Sequence, residues 1–245
     1  MLSMENRYTY QGVVDTHDTD PAGYARPSAI LKYIQEAANI QTALSTPSAA
    51  GLREEGKYFV VTKLILSVKE PLYPRDEITV STWACPSKGV TFNRCGMIER
   101  EGVVCATLSS AWALIDSVKG GFVRVSDVNF DFGEREGLSL PRRLKLRIPE
   151  EAELRLLGEY TVSYRDTDVN GHMNNTVYAD VLFSYLPGCV GKRLTELTVN
   201  YLHEAPYGTR FKVYGAELCS SCYFRTVLPN GEVGVEAYME YDDID

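Results

Sequence analysis

The sequence predicts an α+β fold made of two tandem copies of one unit, each a helix packed on a curved antiparallel sheet. Three observations lead there. Asp18-Thr19-Asp20 recurs as Asp166-Thr167-Asp168, and the surrounding residues 17–27 and 165–175 align at an offset of 148. Residues 64–80 then align without gaps with residues 197–213 at an offset of 133, both blocks showing strand-like alternation around a proline-containing turn. Between the copies, residues 131–150 are rich in Gly, Glu, Arg and Pro and keep no steady period, as a linker would. The expected division is an N-terminal unit over 1–130, a linker over 131–150 and a C-terminal unit over 151–245.

Each element follows in order. After the first motif, Ile30, Leu31, Ile34, Ala37 and Ala38 recur at helical spacing, and Pro27 suits a first turn. Because the offset falls from 148 to 133, the first copy holds 15 extra residues between motif and strand. They fall around residues 45–51, as a longer helix end or a loop able to cover a pocket. Strands are expected at 91–99 and 103–115 around the Glu101-Gly102 turn. In the second copy, Asn174 and Asn175 open a helical run through Val177, Tyr178, Val181, Leu182, Tyr185 and Leu186, which Pro187 stops. Strands at 216–228 and 233–241 flank Asn230-Gly231, a hairpin signal.

Composition narrows the function. With 245 residues and 44% apolar content, the chain can bury one large core or two small ones. No apolar run approaches the ~20 residues of a membrane helix, and residues 1–7 resemble neither a signal nor a transit peptide, so a cytoplasmic location is expected. The net charge of −8, without a Lys/Arg-rich surface stretch, argues against nucleic acid as a partner. One basic cluster, Arg142, Arg143, Lys145 and Arg147, falls in the linker as a solvated run or a docking site for an acidic partner. The six cysteines are scattered; Cys219 and Cys222 form a single C-x-x-C, and with three histidines in all no metal site is expected. Trp83 and Trp112 suit core or pocket lining, and His17 a surface or cap position.

Only the second motif carries reagents. Asp168, Asn170 and His172 alternate, so an extended run over 168–172 would put an orienting acid, an amide and a proton carrier on one side. Asn174 and Asn175 stand at a helix entrance, where free backbone N–H groups favour negative charge. Asp, Asn and Gly are also ordinary turn residues. The first copy weighs against that plainer reading: it holds Ala22, Tyr24, Arg26 and Pro27 where the second has Asn170, His172, Asn174 and Asn175. It retains the scaffold and drops the groups able to do acid-base work, as a pseudo-dimer with one site would.

On these residues the chain resembles the acyl-acyl carrier protein (acyl-ACP) thioesterases, double hotdog proteins in which a long helix is wrapped by an antiparallel sheet. The resemblance rests on D-x-D-x-N-x-H-x-N-N-x-x-Y from Asp166 to Tyr178, on Ser110-Ala111-Trp112-Ala113-Leu114-Ile115-Asp116, and on residues 197–204. It implies hydrolysis of fatty acyl-ACP in fatty acid biosynthesis, without metal or cofactor, by Asp168, Asn170, His172 and Glu204. Asn174 and Asn175 would bind substrate. Without the resemblance, Glu204 reads as a solvated turn carboxylate; its first-copy counterpart is Pro71. Some members carry a cysteine after that glutamate; this chain has Ala205, which rules out a covalent route through it, and the missing transit peptide suggests a bacterial-type member. General-base duty is left between Glu204 and His172. The acidic carrier would meet Arg142, Arg143, Lys145, Lys192, Arg193 or Arg210, and the protein would be a monomer or a homodimer. Rival readings are an acyl-CoA thioesterase with the same site and a non-catalytic acyl-thioester-binding module.

Overall fold

The computed structural model describes residues 6–139, 146–218 and 221–244. Arg142, Arg143, Lys145 and Cys219 lie outside the described residues. The chain forms β1 (Tyr8–Val13), α1 (Pro27–Leu44), α2 (Ala49–Glu54), β2 (Lys57–Val68), β3 (Glu77–Lys88), β4 (Thr91–Arg100), β5 (Val103–Asp116) and β6 (Phe122–Val123). There follow β7 (Arg155–Thr161), α3 (Val177–Phe183), β8 (Lys192–Tyr201), β9 (Arg210–Leu218), β10 (Ser221–Val227) and β11 (Val233–Asp243).

All these strands join one antiparallel sheet in the order β1-β3-β4-β5-β2-β8-β11-β10-β9-β7, with β6 on β5. Read inward from either edge, the order is the same: first, third, fourth, fifth and second strand of each half. At the centre β2 pairs with β8, and the register is centred on Ile65 opposite Thr198, two residues related by the repeat offset itself. Leu64 opposite Val199 and Leu66 opposite Leu197 are then one pairing seen twice.

The halves differ in their helices. α1 has 18 residues and lies across β1, β3, β4 and β5. Its close approach requires Gly96 on β4, where an added Cβ would come within 2.1 Å of Ile34 Cγ2. The 15-residue insertion lengthens α1 and adds α2, whose Ser48 side chain caps the Gly51 N–H. α3 has only 7 residues, so the long helix expected in the second copy is a short one followed by turns through Leu186. Thr82 and Gly96 pair across β3 and β4, and the corresponding pair on β9 and β10 is Gly215 and Phe224. Phe224, fully buried, thus fills the place where the first half seats a helix. The strand expected over 216–228 is also corrected: it is the end of β9 and all of β10, which pair antiparallel.

α3 is tied to α1 through Asp180, whose carboxylate accepts the Ser28 N–H and hydroxyl. An acid there caps the helix start from 152 residues away. Burial pushes the Asp180 carboxyl up, against hydrogen bonds from Ser28 and the charges of Arg26 and Lys32. The first part of the expected linker is packed: Glu134 bridges Ala84 in parallel, and the Glu136 carbonyl accepts the Trp83 indole N–H. It covers β3 just beyond Thr82, the residue that pairs with Tyr8 at the start of β1.

Candidate active site

The polar motif is built as a turn, not an extended run. Ser163 opens a short 3-10 turn, its N–H and hydroxyl both donating to Asp166 Oδ2 at 2.8 and 2.6 Å, with the Tyr160 hydroxyl at 2.8 Å. Asp168 then accepts the Asn170 N–H on Oδ1 at 2.8 Å, donates its own N–H to the His172 carbonyl, and accepts the Gly171 N–H on its carbonyl. Gly171 has φ +80°, the left-handed conformation that glycine adopts without strain. Asp168 and Asn170 are therefore joined through the Asn170 backbone. The first copy folds identically: Asp20 Oδ1 accepts the Ala22 N–H and Gly23 has φ +84°. The turn is scaffold and the side chains on it are what differ.

The turn delivers His172 to the second polar segment. His172 bridges Pro206, and the Met173 N–H donates to the Ala205 carbonyl at 2.9 Å. Two segments held in this way set His172 Nε2 3.4 Å from Glu204 Oε1. The imidazole is mostly covered, with 17% of its side chain exposed, whereas Glu204 keeps 60%. Burial first, then the negative field of Glu204, holds the Tyr178 phenol above its ordinary value.

The two asparagines divide their work. The Asn174 N–H donates to the Asp166 carbonyl, and Asn174 Oδ1 accepts the Thr176 N–H and hydroxyl. Its backbone is therefore not free to bind an oxyanion, contrary to the expectation. The Asn175 N–H has no partner among the described residues, while the Asn175 carbonyl is held by the Tyr201 hydroxyl at 2.8 Å. Tyr201 had not been singled out in the sequence, where one more strand tyrosine gives no signal.

Beside the motif opens a cleft of ≈ 1350 Å³. Thr167, Asp168, Val169, Asn170 and Asn174 form one wall; α1, α2, the first-half strands and residues 125–134 form the rest. His172 and Glu204 are not part of that wall. Its apolar surface comes from Trp112 and an aromatic set: Phe59 stands edge-on to Phe92 at 5.2 Å, and Phe130 stacks on Phe132 at 4.9 Å. The interior of the second half is packed with Tyr178, Phe211 and Phe224. Among the described residues no group of three or more His, Cys, Asp and Glu is placed to hold a metal ion. Among the same residues no helix is long and apolar enough to cross a membrane.

Models of the acyl-ACP thioesterase N-terminal and C-terminal domains match residues 5–131 and 150–241. The chain belongs to the acyl-ACP thioesterase family. It is a thioester hydrolase of fatty acid metabolism that acts on acyl-ACP. No curated protein matches the sequence directly. Among solved structures, an acyl-ACP thioesterase from Bacteroides thetaiotaomicron superposes with a TM-score of 0.85 at 19% identity, over 99% of this chain and 100% of that one. The 12:0-ACP thioesterase from Umbellularia californica gives 0.79 at 15% identity, over 97% and 98% of the two chains. At such identities the likeness speaks for the fold.

Asp166, shared by both copies, is structural. Burial, the largest influence, pushes its carboxyl up, but hydrogen bonds from Ser163 and Tyr160 and the charge of Arg165 outweigh it, and it sits below its ordinary value. A depressed carboxyl stabilises the fold above the unfolded pKa of about 3.9, and that stability is lost as pH falls through the folded value. Asp166→Ala, which strands three donors, is expected to cost about 1–3 kcal/mol in urea unfolding at neutral pH. Asp166→Asn should flatten the acid limb of stability; an acid limb equal to that of the wild type would refute the assignment.

Proposed function

We propose that the chain is a double hotdog pseudo-dimer, units 1–130 and 151–245 joined by 131–150, whose second unit hydrolyses the thioester while the first houses the acyl chain. The observation that carries this reading is the 3.4 Å His172–Glu204 pair beside an apolar cleft whose polar wall is the motif. Glu204, exposed to solvent and next to the imidazole, takes the proton of the attacking water. The water oxygen bonds to the carbonyl carbon, and the oxyanion is met by the free Asn175 N–H. The proton passes from Glu204 to His172 across their 3.4 Å contact, and as the C–S bond breaks His172 gives it to the departing sulfur, so that acid and thiol leave together and both side chains return to their starting state. Asp168 fixes the turn that presents Asn170, whose amide orients the water or the carbonyl. Asn174, in the wall, borders the acyl chain.

The cleft is shaped by α1 and by the insertion around α2, so chain-length preference should reside there. Of the expected docking cations that are described, Lys192 pairs with Asp243 and Arg193 with Asp242, each at 2.9 Å, and Arg210 pairs with Glu159. Arg210 keeps 70% of its side chain exposed, and Arg165 of the motif keeps 86%. Exposed ion pairs hold their partners weakly, so an acidic carrier can exchange into these two near the site. Cytoplasmic location suits such a partner.

The test is thiol release over a chain-length series of acyl chains, each presented on ACP and on CoA. Faster turnover of the carrier-bound esters, with a rate falling as salt rises, is expected. Equal rates on matched CoA esters would remove the carrier from the reading, and binding without thiol release would remove catalysis.

A further inference from the structure

The cleft assigned to the acyl chain is not uniformly apolar. Alternate residues of β4 face it or the helix above it: Phe92, Arg94 and Gly96. Arg94 Nη1 donates to Gln41 Oε1 at 2.5 Å and to Thr82 Oγ1 at 3.2 Å, both uncharged. Its guanidinium carbon stands 5.3 Å from the centre of the Phe132 ring. Among the described residues Nε and Nη2 have no partner and no carboxylate pairs with the group. Arg94 borders both the main cleft and a pocket of ≈ 30 Å³ that Asn175 and Thr176 also line. The group therefore stands between the aromatic lining and the reacting end.

Burial pushes the guanidinium down to about 10, as expected for a cation short of partners. Its titratable neighbours, Cys85 and Cys95, do not fill the gap. Cys95 follows Arg94 in the strand, so its side chain takes the other face of the sheet, where it meets Cys85 at 3.1 Å among Trp83, Met97 and Leu138.

We propose that Arg94 selects acyl chains that carry an oxygen acceptor, a hydroxyl, an oxo group or a carboxylate, which docks on the free N–H groups of its guanidinium. This rests on the reading of the cleft as the acyl site. An unsubstituted chain entering the cleft strips water from Nε and Nη2 and returns no hydrogen bond, whereas an oxygen acceptor restores one. Two adjacent donors in a planar fork suit a carboxylate best and accept a single oxygen as well. A site built around hydrogen-bond donors discriminates against the analogue that lacks the acceptor far more sharply than an apolar pocket separates chain lengths.

The experiment compares thioesters of one chain length, unsubstituted or bearing a hydroxyl, an oxo group or a terminal carboxylate, with the oxygen moved along the chain. At least one oxygenated series should exceed the unsubstituted chain in kcat/KM by about tenfold or more, mainly through KM. Arg94→Met should lower that ratio by about tenfold or more and Arg94→Lys by less, since the ammonium keeps the charge and loses the fork. The series that gains names the oxygen function. If the wild type hydrolyses the unsubstituted chain at least as well as every oxygenated one, the inference is overturned and the thioesterase reading stands, whatever the variants do. Hydrolysis of no thioester in the set would overturn both.

Discussion

His172→Ala is expected to lower kcat/KM for acyl-thioester hydrolysis by about 10²–10⁴, the range that one positioned proton-transfer group contributes. Glu204→Gln, which keeps shape and removes basicity, should fall in the same range. Because the two side chains stand 3.4 Å apart and serve one proton path, the double variant should lose little more than the worse single one. Neither loss is a folding effect: Glu204 is largely exposed, and the turn beneath His172 is held by backbone bonds that the substitution leaves in place. Thermal midpoints should stay close to the wild type while turnover collapses. A correctly folded His172→Ala protein with wild-type kcat/KM would end the assignment, as would double losses that multiply.

Phe224→Ala is expected to cost about 3–5 kcal/mol, the usual penalty for emptying a buried aromatic site. Phe224 is fully buried and lies opposite Gly215, which has no side chain of its own to take up the space. An added Cβ at Gly215 would itself come within 2.6 Å of Leu157 Cδ1, so the surroundings are already tight. The equivalent place in the first half is filled by Ile34 of α1, a filler the second half lacks. Urea unfolding at equilibrium measures the cost. A loss under about 1 kcal/mol would mean that the site collapses freely and that Phe224 is not what keeps the second half solid. The active site should remain intact, since the cleft is walled by the first half and by the motif turn.

The duplication was legible because backbone scaffolding repeats as residues: Asp20 and Asp168, Gly23 and Gly171 make the same turn and stand in the same register. Central pairing of β2 with β8 followed the repeat offset that the sequence already contained. Convergence of His172 with Glu204 was expected only through family resemblance, since 32 positions separate them and the Met173–Ala205 bond that joins their segments is backbone, which no side-chain pattern announces. Alternation misled at 168–172, because a polar turn and an extended strand can show the same spacing. It misled again at residues 216–228, where no Gly, Pro, Asn or Asp marks the division between two strands. The length of α3 was overstated for a similar reason: Tyr185 and Leu186 keep the helical period while the backbone has already left the helix. Arg94 could have been found, as a charge at an inward position between Phe92 and Gly96, once the faces of β4 were assigned.

The seam between β2 and β8 makes each half the other's edge protection. Separated, either half would present an unpaired strand, Leu64-Ile65-Leu66 or Leu197-Thr198-Val199, with its hydrogen-bonding groups open to any neighbouring chain. Because the register is centred on equivalent residues, the strand most ready to fill that vacancy is a second copy of itself. Joining the halves in one chain keeps each open edge supplied with its partner strand at any concentration of the protein.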